Sequence, residues 1–495
     1  MPATGMTEGP PPDLRLRRLR PEWNEIAASA LADPAWAGDA AMREVAREFA
    51  ALNRELGDIA GWADATWLLS VLLERAGDLR GAERAVAAVQ AHQEVVRRHV
   101  AALGPRARVT GRYRFLPARL AALRCRLGDG PAAVFEAVEW AKSRALSDAA
   151  DEREEDEREA DEREAGGEEA PDFERLRAGL AREGVHYLTY LLDDRECFAV
   201  LLTRDGGAAV ARLPVGRAEI EPFATAELIS PAGRGGRSAN ALRRRGDWTK
   251  RLAPLAGPLA AAFGQGRMAA GETLLISPHG VLHLFPLHGL RLAASGGPAI
   301  GEVMATVRVH GAAEVIRRMA AGAPLRPRQA VTLWAPTRSD LRDAGFGAAV
   351  ARCREVLKAR LSVAPVVLEK TAATAERAVA AFGPSQILHF ACHGDTIATG
   401  PGAQRSFLVL AHGGELAERG VGNGRAPAGA LTAETVLAWA GGAGRRLRGT
   451  HVTLQACVSG HATANPQGDA VGLEWAFLMA GAESTLGTHW HVDRE

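Results

Sequence analysis

The sequence is poor in the features that would assign it at once. Its 495 residues include five cysteines, Cys125, Cys197, Cys353, Cys392 and Cys457, odd in number, scattered and never spaced as CxxC. That argues against a disulfide framework and a structural zinc site, and fits a reducing compartment. An excess of either charge is also missing: 60 basic residues face 59 acidic ones, for a net charge of +1. No global field remains to attract nucleic acid or a membrane, so neither is expected as a direct partner. No stretch approaches the roughly 18 apolar residues that span a bilayer. The opening MPATGMTEGPPPDLRLRRLRPEW has arginine but no apolar segment behind it, so it does not read as a secretory signal. Residues 1–20 are expected to be a disordered tail, and the protein to be cytoplasmic. The glycine-rich GGAGRR and GPGAQR lack the Lys-Ser/Thr of a phosphate loop, which argues against nucleotide binding. His489 and His491 would share one strand face, but no third metal ligand stands at a useful spacing. No metal or other cofactor is expected.

What is present falls into two compositional classes, and the length calls for two or three domains. Residues 21–150 are rich in Ala, Leu, Arg and Glu, with apolar residues at three- and four-residue spacing, as in WADATWLLSVLLERAGDL. A Gly-Asp pair recurs at Gly57-Asp58, Gly77-Asp78 and Gly128-Asp129. Glycine can end one helix in a left-handed cap and aspartate can start the next. The best unit, LLSVLLERAGDLRGAERAV, resembles a tetratricopeptide (TPR) repeat, whose period is about 34 residues. The glycine spacings, 77 − 57 = 20 and 128 − 77 = 51, are not multiples of that period. An irregular helical-repeat array is therefore expected, with a plain helical bundle as the alternative. Residues 151–171 repeat Asp-Glu-Arg-Glu without an apolar face and read as a charged linker.

From residue 172 the pattern changes. YLTYLLD and ECFAVLLT flank Asp194-Arg195 and predict a β-hairpin. A polar helical stretch over roughly 217–265 follows. Strand-like runs then alternate with helical ones: ETLLIS, ATVRVH, QAVTLWA, QILHFAC, SFLVLA, THVTLQAC and ESTLGTHW. Continuous apolar strands between helices predict a mainly parallel sheet flanked by helices.

Two of these runs carry chemistry at their carboxyl ends, where open α/β sheets place their sites. QILHFACHGD is expected to stop at His393-Gly394, and HVTLQACVSG at Cys457. A thiol is mostly protonated near neutral pH, and an imidazole facing the same cleft can take its proton. The N–H groups of Gly394 and Cys457 could hold an oxyanion. Ala456, Ser459 and Gly460 would leave room for a substrate backbone. His389 is the competing base, but His393 is preferred because it ends the run and precedes glycine. Cys392 falls on the opposite face from His393 and reads as core. Cys125, Cys197 and Cys353 read as packing residues. Asp395 is a candidate to orient His393.

The pair of segments resembles the caspase-like, clan CD cysteine peptidases, although Val458 and Ser459 depart from the caspase signature Q-A-C-[RQG]-G. The closer resemblance is to the separase-related CHAT domain. YLTYLLDDRECFAVLLTRDG is similar to its opening hairpin. LLISPHGVLHLFPLHGL is similar to its PxGxLxxxPxxxL segment, with His279 where an acidic residue is common. ILHFACHG and LQACVSG are similar to its His and Cys motifs. GDAVGLEWAFLMAGAESTLGTHWHV is similar to its closing segment, and AVEWAKSRALSDA (Ala137–Ala149) to the helix that joins TPR repeats to it. The resemblance implies a CHAT domain over 172–495, with a catalytic core at about 326–495. It implies a cysteine endopeptidase using His393 and Cys457, a protein or peptide substrate, and a regulatory partner on the helical repeats, in bacterial defence. It also implies a further helical stretch past Glu495. A non-catalytic interaction scaffold and a different acyl-transfer enzyme are the alternatives. The oligomeric state is not legible.

Overall fold

The computed structural model describes residues 10–33, 35–99, 115–142, 172–224, 247–293, 296–320, 329–334, 346–361, 365–384, 386–400, 403–412, 415–416, 426, 429–441, 447–456, 459–460, 462–464 and 470–488. The chain divides into two compact units, Met1–Ala137 and Val138–Glu495.

The first unit is helical: α1 (Pro12–Ala32), α2 (Ala40–Glu55), α3 (Ile59–Arg75), α4 (Leu79–His99) and α5 (Leu116–Leu127), with α6 (Pro131–Trp140) crossing the boundary. From α1 to α5 each described helix packs on the next. In α3 the three- and four-residue spacing of Trp62, Ala65, Leu69 and Leu72 puts all four in the interior. The Gly-Asp corners behave as their chemistry requires. Gly57, Gly77 and Gly128 take φ of 74°, 85° and 70°, a region that penalises any Cβ. Asp58 accepts the N–H of Gly61 at 2.9 Å, and Asp78 that of Gly81 at 2.8 Å. At the third corner Asp129 receives both terminal nitrogens of Arg80, at 2.8 and 3.1 Å.

The expected disordered tail over residues 1–20 is corrected from Pro12 onward, where α1 starts and runs through Pro21, while residues 1–9 lie outside the described residues. Proline is favoured at the first helical position, where its missing N–H leaves nothing unpaired. Leu16, in the same turn pattern, is buried. The charged linker at 151–171 lies outside the described residues.

The second unit holds two five-stranded sheets. The first comprises β1 (Val185–Leu192), β2 (Cys197–Leu202), β3 (Ala208–Leu213), β4 (Thr273–Ser277) and β5 (Ala305–Arg308), in the order β3-β2-β1-β4-β5. The predicted hairpin is β1–β2, antiparallel with Tyr187 opposite Leu202 and Leu192 opposite Cys197. Beyond β1, the pairings with β4 and of β4 with β5 are parallel. With this sheet go helices α7 (Phe173–Glu183), α8 (Arg217–Ala224), α9 (Gly257–Gly264) and α10 (Ala312–Ala320).

The second sheet uses β6 (Gln329–Trp334), β7 (Val366–Glu369), β8 (Gln386–Ala391), β14 (His451–Gln455) and β17 (Ser484–Leu486), in the order β17-β14-β8-β6-β7, all parallel. Between β8 and β14 lie β9 (His393–Gly400) and β10 (Ala403–Val409), with the short β11 (Ala411–His412), β12 (Glu415–Leu416) and β13 (Ala430–Thr432). Between β14 and β17 lie β15 (Ala462–Ala464) and β16 (Ala470–Gly472). The helices are α11 (Phe346–Leu361), α12 (Ala375–Ala381), α13 (Ala433–Gly441) and α14 (Leu473–Met479). The core of this half gathers Leu388, Phe390, Val452, Leu454 and Phe477, with Phe390 and Phe477 rings 5.8 Å apart. Every quoted strand run thus forms a strand, but they divide among the mixed sheet, the parallel one and, for SFLVLA, a three-stranded antiparallel sheet in the order β13-β10-β9.

Candidate active site

β8 is a central strand, paired in parallel with β14 on one side and β6 on the other. Its last registered partner across to β14 is Ala391 opposite Gln455, and the N–H of Cys392 still reaches Gln455 O at 3.3 Å. His393 stands two residues beyond that pair on one strand (393 − 391 = 2), and Cys457 two beyond it on the other (457 − 455 = 2). Neighbouring strands run about 4.8 Å apart, so the two strand ends issue side by side. Cys457 itself lies outside the described residues.

The structure corrects where the histidine run stops. β8 ends at Ala391, the chain bends at Cys392, and His393 opens a new strand, β9. There His393 pairs with Val409 and Gly394 with Leu408 of β10, antiparallel. The bend at Cys392 interrupts the strand alternation that would carry His389 and His393 on one face of a continuous strand. Both His393 and Gly394 are buried.

The loop that follows β14 is fixed on both sides of Cys457. Ser459 Oγ donates to Leu454 O at 3.0 Å and accepts the N–H of Thr488 at 3.1 Å. Thr488 Oγ1 donates to Ala456 O at 2.5 Å, and the N–H of Gly460 to Thr488 O at 2.8 Å. Ser459 and Gly460 are therefore engaged with their own chain rather than left as room for a substrate. Glu474 lies against the same loop. A Cβ on Gly460 would stand 3.0 Å from Glu474 Oε1, and one on Gly487 only 2.6 Å from it. The other carboxylate oxygen accepts from Arg308 Nη2.

The rival groups are built as structural residues. His389 is buried with Thr453 and Thr332 as its register partners. Burial holds its pKa below the usual value against a bond to Gln455, and its Nε2 has no partner. That is a neutral, packed imidazole. Burial pushes the Cys197 thiol up to about 12, so it carries no thiolate at neutral pH. Cys392 is fully buried in the second core, and burial also raises Cys353. Asp395 Oδ1 accepts the N–H of Thr396 at 2.8 Å, a bond along its own strand. Among the described residues no group of three or more His, Cys, Asp or Glu is placed to hold a metal, and His489 and His491 lie outside them.

Residues 249–495 match the family model of the CHAT domain. This is a CHAT-domain protein. No curated protein matches the chain. The CHAT domain has a caspase-like, peptidase-related fold. The match opens at residue 249, ahead of α9 and β4, yet β1–β3 complete the sheet to which β4 and β5 belong. The CHAT motif residues also acquire physical reasons. In PxGxLxxxPxxxL, Gly280 takes φ of 58° while Leu282 and Leu290 are fully buried. In the closing segment Leu473, Ala476 and Phe477 form the buried face of α14. Gly481, at φ 93°, ends that helix, with the N–H of Ala482 on Phe477 O at 2.9 Å. No described helix of the CHAT protein is long and apolar enough to cross a membrane.

Several polar contacts of the site were not visible in sequence. Ser459 and Thr488, 29 residues apart, and Arg308 and Glu474, 166 apart, meet only through the fold. The one local signal was a pair of charges, Glu139 and Lys142, in the Ala- and Val-rich AVEWAK; both are buried.

Proposed function

We propose that this CHAT protein is a cysteine endopeptidase in which Cys457 is the nucleophile and His393 the proton-transfer group. What supports the reading most is the register of β8 against β14, in which the two residues follow one paired position at equal distance. The His393 imidazole takes the thiol proton as sulfur bonds to the carbonyl carbon of a peptide. The N–H groups of Gly394 and Cys457 hold the oxyanion. Collapse breaks the C–N bond, and the imidazolium returns its proton to the leaving amine. Water, deprotonated by the same imidazole, then releases the acid and restores the thiol. None of these steps uses a cofactor. The neutral His389 and the undissociated Cys197 support assigning the roles to the other two residues. A protein or peptide is the substrate, and the helical unit receives a regulatory protein partner, in a bacterial defence setting and in the cytoplasm.

The test is cleavage of a peptide library by the wild type against Cys457→Ala. The expected result is a set of cut peptides that disappears in the variant. Equal cleavage by both would assign the activity elsewhere. No cleavage by either, with candidate partners of the helical unit added, would favour a CHAT scaffold.

A further inference from the structure

We propose that Glu139 and Lys142 form a latch, through which a strain on α6 alters the backbone that flanks Cys457. The role rests on the peptidase reading above for its purpose, but the coupling itself does not. Both residues belong to the second unit, whose first residue, Val138, continues α6 from Ala137.

Glu139 and Lys142 are buried, and each is built into the first sheet. Glu139 Oε1 accepts from Tyr187 Oη at 2.9 Å and Thr189 Oγ1 at 2.6 Å, both on β1. Its Oε2 accepts the N–H of Ala312, the first residue of α10, at 2.7 Å. Lys142 Nζ donates to Ser277 O at 2.8 Å and Pro278 O at 2.6 Å, at the end of β4. Buried charged groups with these bonds are costly to displace singly, because each would strand its partners.

From these anchors two chains of polar contacts reach the second sheet. The first passes from β4 to β5, where Ile276 is paired with Arg308. Arg308 donates to His283 O at 3.1 Å and to Glu474, the carboxylate that lies against Gly460. The second passes along α10. Glu314 accepts from the N–H of His310 at 2.9 Å and from Arg318 Nε at 2.9 Å. Arg318 also binds the Glu483 carboxylate at 3.0 Å, and Glu483 N–H donates to Thr450 O at 2.8 Å, just before β14. The latch thus grips both ends of the strand that leads to Cys457. Chains of packed, hydrogen-bonded side chains of this kind can carry coupling between distant sites, and the exchange experiment below measures whether these do. The chain enters the unit at Val138, so tension on α6 meets Glu139 and Lys142 first.

The test is amide hydrogen exchange on the full chain, which reads the coupling without assaying any activity. In Lys142→Met, exchange over 454–460 and 484–488 is expected to rise about tenfold, while β2 stays as protected as in the wild type. Glu139→Gln, which keeps the shape but weakens the bond from Ala312, is expected to move the same segments less. It serves if Lys142→Met does not fold. Tyr190→Phe is the control, since it deletes a buried bond to Leu255 O in the same sheet but outside both chains. Unchanged exchange over 454–460 in the latch variants, or an equal rise in Tyr190→Phe, would overturn the proposal. Peptide cleavage absent from a wild type whose exchange still responds would sink only the peptidase reading.

Discussion

Ser459 holds one hydroxyl between Leu454 O and the N–H of Thr488, in a fully buried position. Ser459→Ala leaves both partners short of a bond, and is expected to cost about 1–3 kcal/mol in chemical denaturation. His283 gives a pH signature. Burial, then the neighbouring Arg308 and His310, hold its pKa well below 6.5. The unfolded chain takes up a proton that the folded one refuses. The stability is complete above about pH 6.5 and is lost as pH falls from there toward the folded pKa. The wild type is therefore expected to lose stability below pH 6.5 more steeply than His283→Phe, by up to about 1.4 kcal/mol per pH unit, read from denaturation midpoints. At this scale the sequence marked the apolar runs before His393 and Cys457, but the first of them stops at Ala391 and His393 opens the next strand. In sequence Ser459 reads as room for a substrate, because the partners that define its role are 5 and 29 residues away.

Strands and their pairings set the next scale. The apolar runs identified β1, β2, β4–β6, β8, β10, β14 and β17; β1, β2 and β8 are buried along nearly their whole length and show themselves by composition alone. They could not say which strands pair. The hairpin stayed local, whereas β8 joins β14 across 64 residues, as in Ile387 opposite His451 (451 − 387 = 64). Nor did alternation reveal the bend at Cys392, because His393 continues the apolar pattern into β9. The crowding at Gly487 is testable here. Gly487→Ala drives a Cβ against Glu474, whose carboxylate is held by Arg308 and is not free to swing away. A loss of about 1–3 kcal/mol is expected, with much of it recovered in Gly487→Ala/Glu474→Ala. Additive losses in that cycle would mean the two positions do not meet. In the helical unit, Asp58→Ala and Asp78→Ala are each expected to cost about 1 kcal/mol by removing a cap, measured in thermal melts.

For the whole molecule, composition foretold a helical part followed by an α/β part, and the division at Ala137/Val138 falls close to that change. The buried charges Glu139 and Lys142 explain why the boundary precedes the end of α6: those residues are satisfied by β1, β4 and α10. Separate cores predict unfolding in more than one step. Leu72→Ala, in the helical core, and Phe390→Ala, in the second sheet, should each destabilise by about 2–5 kcal/mol and shift different transitions in calorimetry. Whether His393 activates Cys457 is tested by a covalent probe. A peptide bearing a thiol-directed electrophile is incubated with wild type and with His393→Ala, and the adduct is located by mass spectrometry. A single adduct on Cys457 is expected, forming about 100-fold or more slowly without His393. Equal rates in the two proteins, or labelling spread over Cys353 and Cys125 as readily as Cys457, would contradict it.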